Sequence, residues 1–167
     1  MNNPSSKFPN EAEVVIVGVG GIVGSMVAYW LAEMGQKNIV GLEKSTIIPS
    51  DIASTAHASD FVYNTTHDKL GCWATNFSRK FYEDNGFFLK KGGLEICRTD
   101  DDARWEELKR KVESGKAFGT NVRLISAAEA KEKFPLLDEG SIRGAMWDPD
   151  AGLVTPRSQD VVNFAVE

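Results

Sequence analysis

One stretch, residues 14–24, constrains the fold of this chain more than any other. It reads Val-Val-Ile-Val-Gly-Val-Gly-Gly-Ile-Val-Gly, so that four β-branched residues are followed at once by glycines. The apolar run predicts a short buried strand, and residues 25–34 predict a helix. Val23, Val27 and Leu31 share one face of that helix. A strand, a glycine turn and a helix begin a dinucleotide-binding βαβ unit, in which the helix N-terminus binds a diphosphate.

A second predicted strand, Asn38 to Leu42, ends at an acidic residue. Gly35 ends the helix before this strand, and Glu43 follows it, nineteen residues after Gly24. A carboxylate at this place accepts hydrogen bonds from both ribose hydroxyls of an adenosine and repels a 2′-phosphate. These residues therefore predict FAD or NAD as the ligand rather than NADP.

The spacing of the glycines departs from the usual G-x-G-x-x-G. Counting back from Gly24 puts the second glycine at Gly21 and the first at Val19, with Gly18 one residue too early. Either the turn contains a one-residue insertion or Val19 replaces the first glycine. The alternative to a nucleotide site is a βαβ unit whose glycines serve only the packing of helix against strand.

Composition excludes several classes of function. The chain has 167 residues, a net charge of −5 and a hydrophobic fraction of 42%. These values predict a soluble globular protein that binds neither nucleic acid nor membrane. The first dozen residues resemble neither a signal peptide nor a transit peptide, so we expect a cytoplasmic protein. Cys72 and Cys97 lack metal-ligand spacing and predict reduced core thiols, with no metal site.

The stretch from Lys44 to Asp60 predicts a long functional loop, because it is rich in small and hydroxyl side chains. Ser54 and Thr55 are candidates to donate hydrogen bonds to phosphate. His57 stands between two alanines, which leaves room for a bulky planar ring beside its imidazole.

Beyond this loop the pattern predicts a second layer of strands with covering helices. The first helix, about 68–84, has an aromatic stripe that predicts core packing, formed by Leu70, Trp73, Phe77 and Phe81. Ser126 and Glu129 predict a capping box, and Thr155 with Pro156 predicts the start of a last helix. A turn is predicted over 148–152.

The predicted fold class is α/β, a Rossmann-like βαβ nucleotide-binding unit followed by part of an α+β substrate domain. The expected parts are a tail over 1–13, a nucleotide-binding part over 14–86, a partial substrate or cap domain over 87–156, and the start of a truncated helix over 157–167. Two parallel strands and one helix bury too little surface for a stable core. We therefore expect an incomplete fold, the N-terminal portion of a larger enzyme or a chain that needs another subunit. The alternative is a complete small α/β protein.

Several segments occur in an order typical of one enzyme family. They are Val14 to Glu43, Ser54-Thr55-Ala56-His57-Ala58, Gly92-Gly93-Leu94-Glu95, Phe134-Pro135-Leu136-Leu137-Asp138, Asp148-Pro149-Asp150-Ala151-Gly152 and Pro156. In this combination the chain resembles the flavin amine oxidases of the D-amino-acid oxidase and glycine oxidase superfamily. It is most similar to the branch that contains dimethylglycine oxidase, dimethylglycine dehydrogenase and sarcosine dehydrogenase.

This resemblance implies FAD as the cofactor, joined covalently to His57 through the 8α-methyl carbon of the flavin. Glu43 would hold the adenosine ribose, and Lys44 would neutralise phosphate or pack on the adenine. Ser54 and Thr55 would contact the diphosphate or the flavin side. The diphosphate itself would lie against the glycine turn and the helix start, formed by Gly18, Gly20, Gly21, Ile22, Val23 and Gly24.

The reaction implied by the resemblance is oxidation of an N-methyl amine by hydride transfer to the flavin. The product iminium is hydrolysed to formaldehyde or, in some members, captured by tetrahydrofolate, and electrons pass to oxygen or to an electron-transfer protein. The family's substrate-binding residues lie beyond Glu167, so no catalytic acid or base is assigned. If the source is eukaryotic, a mitochondrial matrix location becomes an option. The alternatives are an NAD-binding dehydrogenase and a non-catalytic FAD-binding fragment or subunit.

Overall fold

The computed structural model describes Pro9 and residues 11–167. They form two compact units, one containing the described residues up to Ser59 together with Pro156–Glu167, and the other containing Asp60–Thr155. The chain thus divides after Ser59 and after Thr155. The functional assignment of these parts stays a prediction, and most of the predicted tail over 1–13 lies outside the described residues.

The first unit is built on the predicted βαβ motif. Strands β1 (Val14–Val17) and β2 (Ile39–Leu42) pair in parallel, with Val14 opposite Ile39 and Val17 opposite Leu42. Helix α1 (Ile22–Glu33) connects them, because parallel neighbours require a crossover connection. The carboxyl ends of both strands therefore lie beside the start of α1, where a nucleotide binds in such folds.

Helix α1 buries a different face from the one that its valines predicted. Gly24 and Ser25 are buried, whereas Val23 is 76% exposed and Val27 is 45% exposed. The buried face carries small residues because it approaches the glycine turn closely. Helix α5 (Ser158–Val166) packs against α1, and the rings of Tyr29 and Phe164 lie 5.8 Å apart.

The start of α5 differs from the prediction. Arg157 is its N-cap residue, and the helix begins at Ser158 rather than at Thr155-Pro156. The amide of Thr155 instead donates to the Phe87 carbonyl oxygen at 3.0 Å, which keeps that segment extended. The predicted apolar face of the helix is confirmed, with Val161, Val162 and Ala165 buried.

The core of the second unit lies on an antiparallel sheet with strand order β5-β7-β6. These strands are β5 (Gly93–Arg98), β6 (Arg123–Ser126) and β7 (Ile142–Asp148). Helix α3 (Asp102–Ala117) packs against this sheet. The hydrophobic cluster between helix and sheet contains Cys97, Leu108, Val112, Val122 and Met146.

A second small sheet contains two strands that the sequence did not predict. Its order is β3-β8-β4, formed by β3 (Phe61–Val62), β4 (Phe88–Lys90) and β8 (Gly152–Val154). Leu153 of β8 lies opposite both Phe61 and Leu89. The two strands that were not predicted are β3 and β8. Both are very short, so they form because they pair with distant residues and not because of a local sequence pattern.

The aromatic stripe on helix α2 (Lys69–Asp84) is only partly core. Phe81 is buried as predicted, but the prediction is wrong for Leu70, Trp73 and Phe77, which are 72%, 62% and 47% exposed. The buried side of the helix is instead the one that carries Cys72 and Phe81. The rings of Trp73 and Phe77 stack on each other, with centroids 5.5 Å apart.

Two other local predictions are confirmed. Helix α4 (Ala127–Lys133) begins with the predicted capping box, in which the Glu129 amide donates to Ser126 Oγ at 3.2 Å and the Ser126 amide donates to Glu129 Oε2 at 2.9 Å. Cys72 and Cys97 are both free and buried. In the described part of the chain, no helix combines the length and the apolar character that crossing a membrane requires. The βαβ unit followed by an antiparallel α+β unit confirms the predicted fold class.

Candidate functional site

The glycine turn after β1 could contain an inserted residue or have Val19 in place of the first glycine, and its geometry shows which alternative is correct. Gly18 has a φ of +91°, and its amide donates to the Leu42 carbonyl oxygen at 2.7 Å. A Cβ built on Gly24 would lie 2.2 Å from the Gly18 carbonyl oxygen. Gly18 therefore makes the tight turn, and Gly24 allows the helix to approach the strand. The turn contains one additional residue, and Gly18 takes the geometric place of the first glycine.

The longer turn is accommodated because one of its side chains, that of Val19, is buried. Val19 is 7% exposed and packs on Gly41 of β2, where a Cβ would lie 2.9 Å from Val19 Cγ1. Val19 thus contributes to packing between the turn and the second strand. Gly41 is a residue that the sequence pattern did not single out.

Glu43 is held by three backbone amides. Its Oε2 accepts from the Gly20 amide at 2.8 Å, and its Oε1 accepts from the amides of Lys44 and Ser45, both at 2.9 Å. The donations from Ser45 and Gly20 hold the pKa of the Glu43 carboxyl below its ordinary value. A carboxylate has about four acceptor positions, so this arrangement leaves one of them open to a ligand hydroxyl.

Gly20 has no room for a side chain beside this carboxylate. A Cβ on Gly20 would lie 2.6 Å from Glu43 Oε2 and 2.6 Å from the Cβ of Ser50. The Ser50 amide donates to the Gly20 carbonyl oxygen at 2.8 Å. Ser50 is 1% exposed, and its hydroxyl lies close enough to the Glu43 carboxylate to help lower its pKa, without the geometry of a full hydrogen bond to any described residue. The sequence did not identify Ser50, because its burial depends on a contact with a residue thirty positions earlier.

The N-terminus of α1 offers amides to an anion. The N-cap residue Gly21 has no side chain to cap the helix, and the Ile22 amide donates to Thr55 Oγ1 at 3.0 Å. Val23 and Gly24 are the next two residues, and helix geometry gives their amides no intrahelical acceptor. These amides and the positive end of the helix dipole suit a diphosphate.

The loop after β2 brings the remaining predicted site residues toward this turn. Ser54–His57 form a single turn of 3-10 helix, and α5 packs against it. Ser54, His57 and Lys44 are exposed. The structure therefore brings Thr55 to the helix start and leaves the His57 imidazole accessible, while the Lys44 side chain points to no recorded partner within the described residues.

The aspartate of the Asp148-Pro149-Asp150 segment has a structural role in the second unit. Asp148 is 3% exposed and accepts hydrogen bonds from the Asn64 amide at 3.0 Å and from Thr65 Oγ1 at 3.4 Å. The Asp150 amide donates to its other carboxylate oxygen at 3.1 Å. Asp148 thus fixes the segment after β3 to the end of β7. Among residues 9 and 11–167, no cluster of His, Cys, Asp and Glu is arranged to hold a metal ion.

Comparisons with known proteins agree with this geometry. The family described as DAO, FAD dependent oxidoreductase, matches residues 13–159. Human mitochondrial sarcosine dehydrogenase is 29% identical over 161 residues, which cover 92% of this chain. The mouse mitochondrial pyruvate dehydrogenase phosphatase regulatory subunit is 31% identical over 158 residues, which cover 90% of it. These matches confirm the resemblance that the sequence motifs indicated.

A solved structure shows the same fold. The crystal structure of L-proline dehydrogenase from P. horikoshii superposes with a TM-score of 0.80 at 32% identity, over 95% of this chain and 42% of that one. The chain spans 17% of the length of each of the two curated relatives.

Proposed function

Because this chain belongs to the DAO family of FAD-dependent oxidoreductases, we propose that it forms the FAD-binding part of an enzyme that oxidises N-methyl amines such as sarcosine or dimethylglycine. The observation that carries this proposal is the turn between β1 and α1, with Glu43 held beside it by Gly20. The match to sarcosine dehydrogenase supports the class of substrate.

The residues of the first unit fit FAD. The amides of Val23 and Gly24 at the start of α1 would hold the diphosphate, because helix geometry leaves them without an intrahelical acceptor. The remaining acceptor position of Glu43 would take one ribose hydroxyl. The buried hydroxyl of Ser50 beside Glu43 makes no full hydrogen bond in the described chain, and a bound ligand or an ordered water would satisfy it.

We assign His57 as the residue that would bond covalently to FAD. Its ring nitrogen would replace one hydrogen of the flavin 8α-methyl group, which leaves as a proton, and the two electrons of that C–H bond would pass through the flavin to an acceptor such as oxygen. Its imidazole is exposed, has no recorded hydrogen-bond partner in the described chain, and stands between Ala56 and Ala58. A neutral imidazole with a free nitrogen is a competent nucleophile. The tether would keep the cofactor on the protein irrespective of the affinity of the diphosphate cradle.

When bound, FAD would supply the redox chemistry by accepting a hydride from the N-methyl carbon of the amine. The role of this chain is to bind the cofactor and to fix its orientation. The amine-binding residues, the final acceptor (oxygen or an electron-transfer protein) and any use of tetrahydrofolate belong to the whole enzyme, because the chain spans 17% of the related dehydrogenase. The rest of the enzyme or another subunit would complete the active site.

A second candidate function is that of a non-catalytic subunit that binds FAD. The similarity to a pyruvate dehydrogenase phosphatase regulatory subunit favours this candidate. An NAD-binding dehydrogenase is the weaker alternative, because the family match is to FAD-dependent enzymes. The two curated relatives are named as mitochondrial, which makes the matrix our proposed location ahead of the cytoplasm.

Intact mass under denaturing conditions, with a visible spectrum of the same sample, tests the cofactor assignment. We expect a mass increase equal to one FAD and a flavin absorbance that survives denaturation. A yellow sample that loses its colour on denaturation would leave a non-covalent flavoprotein and contradict the His57 assignment. Anaerobic mixing of this chain, joined to the rest of the enzyme or to its partner subunit, with sarcosine or dimethylglycine separates the two functions, because only a catalytic protein bleaches its flavin.

The matched pair of variants is His57→Ala and His67→Ala. Both histidines are exposed, but His67 pairs with Glu107 at 3.2 Å and lies in the second unit. We expect the His57 variant to release all its FAD on denaturation and the His67 variant to retain it. Covalent FAD in the His57 variant would refute the assignment.

A further inference from the structure

The loop that carries His57 is attached to the glycine turn at two points. One attachment is the hydrogen bond from the Ser50 amide to the Gly20 carbonyl oxygen at 2.8 Å. The other is the hydrogen bond from the Ile22 amide to Thr55 Oγ1 at 3.0 Å, between residues 33 positions apart. The first uses only backbone atoms, and the second depends on one side-chain hydroxyl.

The 3-10 turn that contains His57 has little support of its own. Its N-cap residue Ala53 supplies no side-chain hydrogen bond, and the turn closes through the Ala56 amide to Ala53 at 2.9 Å and the Ala58 amide to Thr55 at 3.4 Å. Such short turns have poor hydrogen-bond geometry and are marginal alone. External contacts therefore fix the position of His57, namely the packing of α5 against the turn and the hydrogen bond from the Ile22 amide to Thr55.

The N-terminus of helix α1 likewise lacks a local hydrogen-bond partner. Gly21 offers no capping side chain, so the first amide of the helix has to find an acceptor elsewhere. A Cβ built on Gly21 would lie 3.5 Å from Thr55 Oγ1 and 3.5 Å from the Ala53 Cβ, which is ordinary contact. The hydroxyl of Thr55 thus caps α1 from a distant segment that packs directly over the turn.

We propose that Thr55 is a positioning residue that holds the imidazole of His57 at a fixed place relative to the diphosphate cradle. It acts through the Ile22 amide at one end and the 3-10 turn at the other. The inference rests on the proposed function, since it concerns how the protein presents His57 to FAD. Thr55 thereby links diphosphate binding to covalent attachment of FAD at His57, because both depend on the first turn of α1.

The test compares Thr55→Val, which keeps the shape and removes the hydroxyl, with Thr55→Ser, which restores the hydroxyl. Thr46→Val is the matched control, because Thr46 is an exposed residue of the same loop without a recorded hydrogen bond in the described chain. Three quantities are measured: amide exchange at Ile22 and the backbone order parameter at His57, both in the FAD-free protein, and the fraction of FAD that survives denaturation.

In Thr55→Val we expect exchange at Ile22 to accelerate about tenfold, because the amide loses its acceptor. The order parameter at His57 should fall from the range of rigid backbone toward values below about 0.6. The covalent fraction of FAD should fall at least about threefold, because a less well fixed imidazole reaches the flavin less often in a reactive position. Thr55→Ser should recover all three values, and Thr46→Val should leave them unchanged.

Unchanged exchange at Ile22 in Thr55→Val would overturn the proposal, and so would an unchanged order parameter at His57. A loosened turn with an unchanged covalent fraction would also overturn it, since the attachment would then have no positioning role. If the unsubstituted protein retains no FAD after denaturation, the proposed covalent function fails, and the order parameter at His57 still decides whether Thr55 fixes its position.

Discussion

Replacing Gly24 by alanine tests the geometry of the cofactor turn, because two effects with opposite signs compete at this position. Gly24 is buried in the first turn of α1. Alanine has the higher helix propensity, so propensity alone predicts that Gly24→Ala stabilises the protein by about 1 kcal/mol. The close contact with the strand end predicts the reverse.

The contact distances give the magnitude of the opposing effect. The new methyl group would lie 2.2 Å from the Gly18 carbonyl oxygen, 2.7 Å from the Gly18 carbonyl carbon and 3.0 Å from Val19 Cα. The shortest distance is about 1 Å below a normal carbon–oxygen contact of about 3.3 Å. Overpacking costs about 1–3 kcal/mol, and the upper end applies because backbone atoms cannot rotate away. The net expectation is a loss of about 2 kcal/mol.

Thermal unfolding followed by circular dichroism measures this change. A loss of about 2 kcal/mol lowers the Tm by about 4–8 °C for a chain of this size. Val27→Ala is the control, because Val27 lies on the exposed side of the same helix, and we expect a change within about 0.5 kcal/mol. A Tm for Gly24→Ala equal to or above that of the unsubstituted protein would refute the proposed close contact between α1 and the turn.

Two further predictions concern the surroundings of Glu43. Ser50→Ala should move the pKa of Glu43 back toward its ordinary value, because the Ser50 hydroxyl is one of the groups that lower it; an unchanged pKa in an NMR titration of the Glu43 carboxyl would contradict that contact. The pKa of Glu43 lies below its ordinary value of 4.5, so its ionised form stabilises the fold above that pH, and the contribution disappears as the pH falls through the folded-state pKa. Glu43→Gln should therefore flatten the fall in Tm measured between about pH 6 and pH 3, and an unchanged pH profile would contradict the role of its three amide donors.

Much of the candidate site followed from local pattern. The strand Val14–Val17 was predicted with its observed bounds, and the helix after it was predicted to begin three residues late and to end one residue late. Glu43 was identified from its place after the second strand, and the structure puts it beside Gly20. The capping box at Ser126 was equally local. Each of these signals depends on residues that are neighbours in sequence or on the fixed length of a βαβ unit.

Other features of the candidate site could not be predicted from local sequence pattern. Nothing in the sequence showed that Gly18 rather than Val19 makes the tight turn, because that choice depends on the contact between Gly18 and Gly24. Ser50 and the hydroxyl of Thr55 meet the glycine turn from residues thirty or more positions away. The burial of these groups is decided when the loop folds back on the turn.

The sequence by itself determined the class of fold and the kind of ligand, because glycines, apolar runs and capping residues act over a few bonds. Only the tertiary structure decided which faces are buried. Helix α2 leaves Trp73 and Phe77 exposed despite their helical spacing, and strand β8 exists because Leu153 meets Phe61 and Leu89. Burial and strand pairing depend on what approaches from elsewhere in the chain, and periodicity indicates an apolar face without indicating what covers it.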